Sequence, residues 1–171
     1  VLPRSASRRA SGARLAAVQV AVTMLFVTGG LTERAWAHGG TGVQGWGAIN
    51  TPSNLIGITQ IACGSMHTYA LKIDGTLIGW GDNYWGQTNT PGNLAGVSQV
   101  ACGSSHTYAL KSDGTLVGWG WNIFGQTNTP SNLTGVTQVA CGWYHTYALK
   151  SDGTLVGWGS NGAGEINTPS N

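Results

Sequence analysis

Residues 96–120 read GVSQVACGSSHTYALKSDGTLVGWG. The same phrase stands thirty-nine residues upstream as GITQIACGSMHTYALKIDGTLIGWG (57–81) and thirty-nine downstream as GVTQVACGWYHTYALKSDGTLVGWG (135–159). A fixed period of this size marks a repeat architecture, in which each copy is one supersecondary unit. Cys63, Cys102 and Cys141 keep the register, as do His67, His106 and His145, and Trp80, Trp119 and Trp158. A residue that recurs with the unit is read first as scaffold. Individuality lies where the copies differ.

Each unit holds three strand-like runs. In VSQVAC (97–102), alternation sets Val97, Gln99 and Ala101 on one face and Ser98, Val100 and Cys102 on the other. In HTYALK (106–111) it sets His106, Tyr108 and Leu110 against Thr107, Ala109 and Lys111. Period-2 alternation rich in Val, Thr, Tyr and Leu is the pattern of a half-buried strand. Asp113-Gly114 then turns the chain into TLVGW (115–119), because Gly accepts the positive φ a hairpin turn needs. A loop of the form N-x-x-G-Q follows, and Thr-Asn-Thr-Pro marks the crossover, since proline cannot donate to a sheet ladder. A three-stranded sheet with two apolar faces is unstable alone. Face-to-face stacking buries both faces, and radial stacking gives an all-β propeller of short three-stranded blades. The units are 57–95, 96–134 and 135–171.

Upstream of the repeats the composition changes. All five arginines (Arg4, Arg8, Arg9, Arg14, Arg34) precede residue 35, and residues 15–28 (LAAVQVAVTMLFVT) are apolar but for one glutamine. With Ala35-Trp36-Ala37 as a small-x-small cleavage pattern, residues 1–37 read as a secretory signal peptide. That implies a secreted, periplasmic or cell-surface protein, with no membrane association after cleavage. Residues 38–56 form a leading strand and connector, since TGVQGWGAINTPSN (41–54) matches the end of a repeat unit. From His38 onward three lysines face five carboxylates, a net charge of about −2 with no arginine. Phosphate neutralisation by Lys and Arg dominates nucleic-acid affinity, so nucleic-acid binding is excluded.

The combined pattern VxQVACGxxHTYALKSDGTLVGWGxNxxGQTNTP resembles the regulator of chromosome condensation repeat, a β-propeller family, over nearly all of residues 43–171. Short units behind a signal peptide look most like its secreted bacterial branch, which includes a propeller-type β-lactamase inhibitory protein. Nuclear members exchange guanine nucleotide on a small GTPase, which an exported chain would not meet. Two features depart from the family. A full propeller has about seven blades and this chain supplies three, and Cys stands in each ACG where Gly or Ala is expected. A ring completed by homo-oligomerisation, with residues 41–47 closing a neighbour's blade, is one resolution.

The Cys-x-x-x-His triplets suggest zinc, but each unit offers two ligands and repetition alone explains both. The histidine reads as satisfying a hydrogen bond at the blade edge, and the cysteines as buried small residues near the axis. The Asp of each DGT (Asp74, Asp113, Asp152) is explained by turn chemistry rather than calcium. With no activated nucleophile and no phosphate-binding glycine loop, the reading is no catalytic residues, no cofactor and no metal. The copies differ at Ser65-Met66, Ser104-Ser105 and Trp143-Tyr144. They differ again at 82–85 (Asp-Asn-Tyr-Trp), 121–124 (Trp-Asn-Ile-Phe) and 160–163 (Ser-Asn-Gly-Ala). Variable loops on a fixed scaffold are where binding residues sit, and large aromatics dominate interface hot spots. Met66, Tyr84, Trp85, Ser105, Trp121, Ile123, Phe124, Trp143 and Tyr144 are therefore the expected partner-binding set. Packing between blades is the competing reading, strongest for Trp85 and Phe124. In the resembling inhibitor such loop aromatics dock on the partner enzyme, and Trp143-Tyr144 falls on a matching position. The expected function is protein binding, with enzyme inhibition as a special case. A glycan-binding lectin is the alternative, and a fragment of a longer propeller a third reading.

Overall fold

In the computed structural model, residues 51–53 and 55–169 are described. The expected signal peptide and the leading strand at 41–47 lie outside them. The described residues form nine strands: β1 (Ile58–Cys63), β2 (His67–Lys72), β3 (Leu77–Gly81), β4 (Val97–Cys102), β5 (His106–Lys111), β6 (Leu116–Gly120), β7 (Val136–Cys141), β8 (His145–Lys150) and β9 (Leu155–Gly159). They make three antiparallel sheets in the orders β1-β2-β3, β4-β5-β6 and β7-β8-β9, one per repeat. No helix among the described residues is long and apolar enough to cross a membrane.

The hairpin between second and third strands is not a two-residue turn. Gly114 N donates to Lys111 O at 2.9 Å, and Lys111 N to Thr115 O at 2.9 Å. Gly114 takes φ +82°, while among the described residues no non-glycine residue has positive φ. This is a three-residue loop, Ser112-Asp113-Gly114, with glycine at its left-handed position. Asp113 Oδ1 accepts from Thr115 N at 2.9 Å, and Lys111 Nζ lies 3.0 Å from Oδ2. Those bonds, led by the Thr115 main chain and Lys111, hold the exposed Asp113 carboxyl down at about 2. The DGT aspartates are turn residues.

The first strand of each unit departs from simple alternation. Val97 pairs with Lys111, but Gln99 pairs with Leu110, so Ser98 is bulged out. The same shift recurs between Ile58 and Gln60 and between Val136 and Gln138. A bulge resets the face of every residue beyond it. Alternation places Val97 and Val100 on opposite faces, whereas both are buried in one core cluster. The bulged hydroxyl is used locally: Ser98 Oγ donates to Leu110 O at 3.1 Å.

Stacking uses two different faces. Tyr69 and Leu71 of the first sheet pack against Val97, Val100, Ala109 and Trp119 of the second. Tyr108 and Leu110 of the second pack in the same way against Val136, Val139, Ala148 and Trp158 of the third. Strand β5 is consequently buried at every position from His106 to Leu110. Polar side chains fix the stagger. The Gln60 amide donates from Nε2 to Val100 O and accepts from Val100 N, each at 2.9 Å. Gln99 does the same with Val139. Such charge-free paired bonds in a partly buried seam each contribute about 1 kcal/mol.

Candidate binding surface

One end of the stack carries both variable loops, because first strands end there, second strands begin there and third strands end there. The loop after β3 is clipped by asparagines. Asn83 Oδ1 accepts from Thr88 N at 3.0 Å, and its Nδ2 donates to Asn89 Oδ1 at 2.7 Å. Gly86 N closes a turn onto Asn83 O at 3.1 Å. Tyr84 and Trp85 therefore sit at the apex of that turn, with Gly86 taking the left-handed position at φ 74°. Ile123 and Phe124 occupy the equivalent apex between Asn122 and Gly125. The loops between first and second strands run side by side, with Ser65 N donating to Ser104 O and Ser104 N to Trp143 O, each at 3.3 Å.

These loops bring six of the nine expected residues into one row of rings. Tyr84 meets Trp85 at 4.8 Å between centroids, Trp85 meets Trp121 at 5.8 Å, and Trp121 meets Tyr144 at 5.1 Å. Phe124 lies 5.5 Å from both Trp121 and Tyr144, and Trp143 lies 6.0 Å from Tyr144. Most of these pairs are edge-to-face, the favoured geometry for aromatic contacts. The row crosses all three units. Tyr84 is 80% exposed, Trp143 70%, Trp85 49% and Phe124 48%. Trp85 and Phe124 thus pack against other loop rings while keeping about half their surface, and are not sandwiched between sheets. Met66 and Ile123 are also exposed, though neither ring-to-ring nor polar contacts tie them to the row. Ser105 is half-buried, and its main-chain carbonyl accepts from Trp121 N at 2.9 Å.

Beneath the row lies a buried polar layer. His67 Nε2 bonds Thr107 Oγ1 of the next sheet at 2.9 Å, and His106 Nε2 bonds Thr146 Oγ1 at 3.1 Å. The histidine is thus an inter-sheet residue, not one that closes its own blade's edge. Burial pushes His106 down to about 4, with neighbouring His67 and His145 adding to the effect, so its ring is neutral. Burial likewise lowers His67. The cysteines form a second cross-sheet series. Cys102 Sγ donates to Ala62 O at 3.5 Å and Cys141 Sγ to Ala101 O at 3.7 Å. All three thiols are free. Burial pushes the Cys141 thiol up to about 12 and raises Cys102 as well. Cys63, expected to be buried, is exposed: it begins the series, and no described sheet precedes it to offer a carbonyl.

Two residues of the site were not singled out by sequence reasoning. Gln87 is fully buried, accepts from Trp85 N at 2.8 Å and donates from Nε2 to Asp82 Oδ2 at 2.7 Å. Gln126 is equally buried and accepts from Phe124 N at 3.0 Å, but its Nε2 has no partner. The legible signal is the position five residues before each: Asp82 in the first copy, Trp121 in the second. A concavity of about 570 Å³ lies away from the rings along the bulges and is lined by Gln60, Gln99 and Gln138, among others. Two of those three amides are already spent on the next sheet.

The chain matches the "Regulator of chromosome condensation (RCC1) repeat" family over residues 58–87, 97–126 and 136–165, just over half its length. No curated protein matches it in sequence. Among solved structures it is similar to Prp20p from Saccharomyces cerevisiae, described with its binding properties to Gsp1p and histones. That likeness is at 28% identity and TM-score 0.57, over 66% of this chain and 33% of that one. It is similar to yeast RCC1 (Prp20) with Kap60 bound to it, at 26% identity and TM-score 0.54, over 68% and 31%. Human WBSCR16 gives 25% identity and TM-score 0.53, over 63% and 36%. The chain therefore spans about a third of the length of these structures. Strand order, repeat period and matched residues agree: the chain belongs to the RCC1 repeat family and has the blades of an RCC1-like β-propeller.

Proposed function

We propose that this is an exported, non-enzymatic propeller chain that binds another protein through the aromatic loops at one end of its blades. The observation that carries the reading is the unbroken row of six rings across three repeats, much of it open to solvent. Contiguous exposed apolar surface of this kind marks interaction sites, and Trp and Tyr anchor them. Similar family structures were solved with or described by protein partners, namely Kap60, Gsp1p and histones. Enzyme inhibition, as of an extracellular or periplasmic β-lactamase, is the special case we propose to test. Export rests on the sequence features of residues 1–37. The non-enzymatic reading is supported by chemistry: His106 is fully buried with its Nε2 bonded to Thr146, and burial raises the Cys102 and Cys141 thiols.

A lectin would use loop Asn and Gln amides on sugar hydroxyls, but Asn83, Asn122 and Asn161 spend theirs holding their own loops. The protein reading is tested by capturing partners from culture medium on immobilised protein, alongside the double variant Trp143→Ala/Tyr144→Ala. Capture that is lost in the variant supports it. Retention only on a glycan array would replace it with the lectin. Homo-oligomerisation is a further proposal: Leu155 is 49% exposed, whereas Leu77 and Leu116 pack against the following sheet. A second copy seated head-to-tail would cover it, and light scattering would show a discrete oligomer.

A further inference from the structure

We infer that the ring surface takes a cationic side chain, an arginine or lysine presented by the partner protein, with Trp121 as its central platform. The inference deepens the protein-binding reading and rests on it. Its first support is charge. Lys72, Lys111 and Lys150 all end second strands, at the opposite end of the sheets from the rings. Two of these lysines are held there by turn aspartates. The repeat loops at the ring end contain Asp82 and Glu165 and neither lysine nor arginine. Aromatic faces attract cations through their quadrupole, with indole the strongest, and flanking carboxylates reinforce the field. Tyr84 and Trp143, at the two ends of the row, are the most exposed of its rings.

The second support is what the fold gives up to place Trp121. In the first copy the buried amide finds its acceptor in Asp82 at 2.7 Å. In the third, Ser160 Oγ donates to Glu165 Oε1 at 3.2 Å, so that pair is also matched. Only the middle copy, among the described residues, leaves the amide Nε2 of a fully buried Gln126 without a partner. The residue standing where its acceptor would be is Trp121, which touches Trp85, Phe124 and Tyr144. A local rule broken without local compensation points to a functional demand. Here the demand is for an indole at the middle of the row.

The test uses the full chain and two synthetic peptides, acetyl-Gly-Arg-Gly-Arg-Gly-amide and its citrulline counterpart, which keeps the shape and loses the charge. Tryptophan fluorescence and NMR titration should show the arginine peptide binding about tenfold more tightly. Trp121→Asp and Trp121→Ala should each weaken that binding. The aspartate variant should melt above the alanine variant, because it restores an acceptor for Gln126, so loss of binding is separated from loss of fold. Equal binding of both peptides, or binding of neither, overturns the cation assignment. So does tighter arginine binding by Trp121→Asp, which would make the attraction plain charge rather than ring chemistry. None of these results touches the protein-binding reading, which stands or falls on the capture experiment.

Discussion

The indole N–H of Trp119 donates to the main-chain carbonyl of Gln87 at 3.0 Å. It also lies 3.2 Å from the Tyr69 phenol oxygen. Thr107 Oγ1 reaches the same Gln87 carbonyl at 3.1 Å. The loop of one repeat is thereby pinned by two side chains of the next. Trp119→Phe, which keeps a ring and removes the donor, is expected to cost about 1–2 kcal/mol, because Thr107 still serves the carbonyl. Trp119→Ala is expected to cost about 3–5 kcal/mol through the cavity it opens in the first core cluster. Urea unfolding measures both, and a silent Trp119→Phe would show that the shared donor contributes nothing.

Stability should fall in mild acid. His106 is buried and neutral, with its proton affinity lowered to about 4 against 6.5 in an unfolded chain. Above pH 6.5 neither state binds the proton, and its contribution is flat. Between pH 6.5 and about 4 the unfolded state takes the proton and the folded state resists, so stability drops as pH falls. The loss from His106 is on the order of 3 kcal/mol over that window, and His67 adds in the same direction. Chemical denaturation across pH 4–8 reads the slope directly. A flat profile would contradict the neutral buried ring.

Thiol labelling should separate the three cysteines. Cys63 is exposed, while burial raises the Cys102 and Cys141 thiols and their sulfurs face carbonyls of the preceding sheet. Since the thiolate is the reactive form, iodoacetamide at pH 8 is expected to modify Cys63 first. Cys102 and Cys141, which are half-buried, should react much more slowly until the chain unfolds. Mass mapping of labelled peptides checks this, and uniform labelling would mean the sheets separate readily.

Gly103 is expected to tolerate no side chain. A Cβ there would collide with the His106 ring and with the Gly142 carbonyl of the next repeat. Gly103→Ala should cost about 2 kcal/mol or more, since backbone cannot yield cheaply inside a packed stack. Gly114→Ala, whose difficulty is the left-handed φ alone, should cost about 1 kcal/mol. Thermal denaturation of the two variants orders them.

The strands were legible because each unit states its pattern three times. HTYALK and the two flanking runs fall within one residue of the observed limits. The bulge was less visible. Its signal is the three-residue spacing of Val97 and Val100, which strict alternation forbids on one face, with a Ser or Thr between to bond the neighbouring carbonyl. The variable aromatics could be named from differences between the copies. Their assembly into one row could not, because Trp85, Trp121 and Tyr144 are joined by tertiary stacking rather than by proximity in the chain. Gln126 was hidden for a related reason. An amide shared by two copies looks like scaffold until the loss of its acceptor five residues earlier is weighed.

Each seam between sheets is pinned by hydrogen-bonding side chains that every copy possesses. Gln60 and Gln99 reach Val100 and Val139, His67 and His106 reach Thr107 and Thr146, and Trp119 and Trp158 reach Tyr69 and Tyr108. Since these pinning bonds use side chains present in every copy, and the copy-specific contacts across the seams are confined to the loop end, the units work as near-interchangeable cassettes. Reordering them would leave the joints intact while rewriting the sequence of rings displayed along the row. A gene that duplicates, deletes or shuffles whole thirty-nine-residue units can thus change what the surface recognises without having to solve the folding problem again.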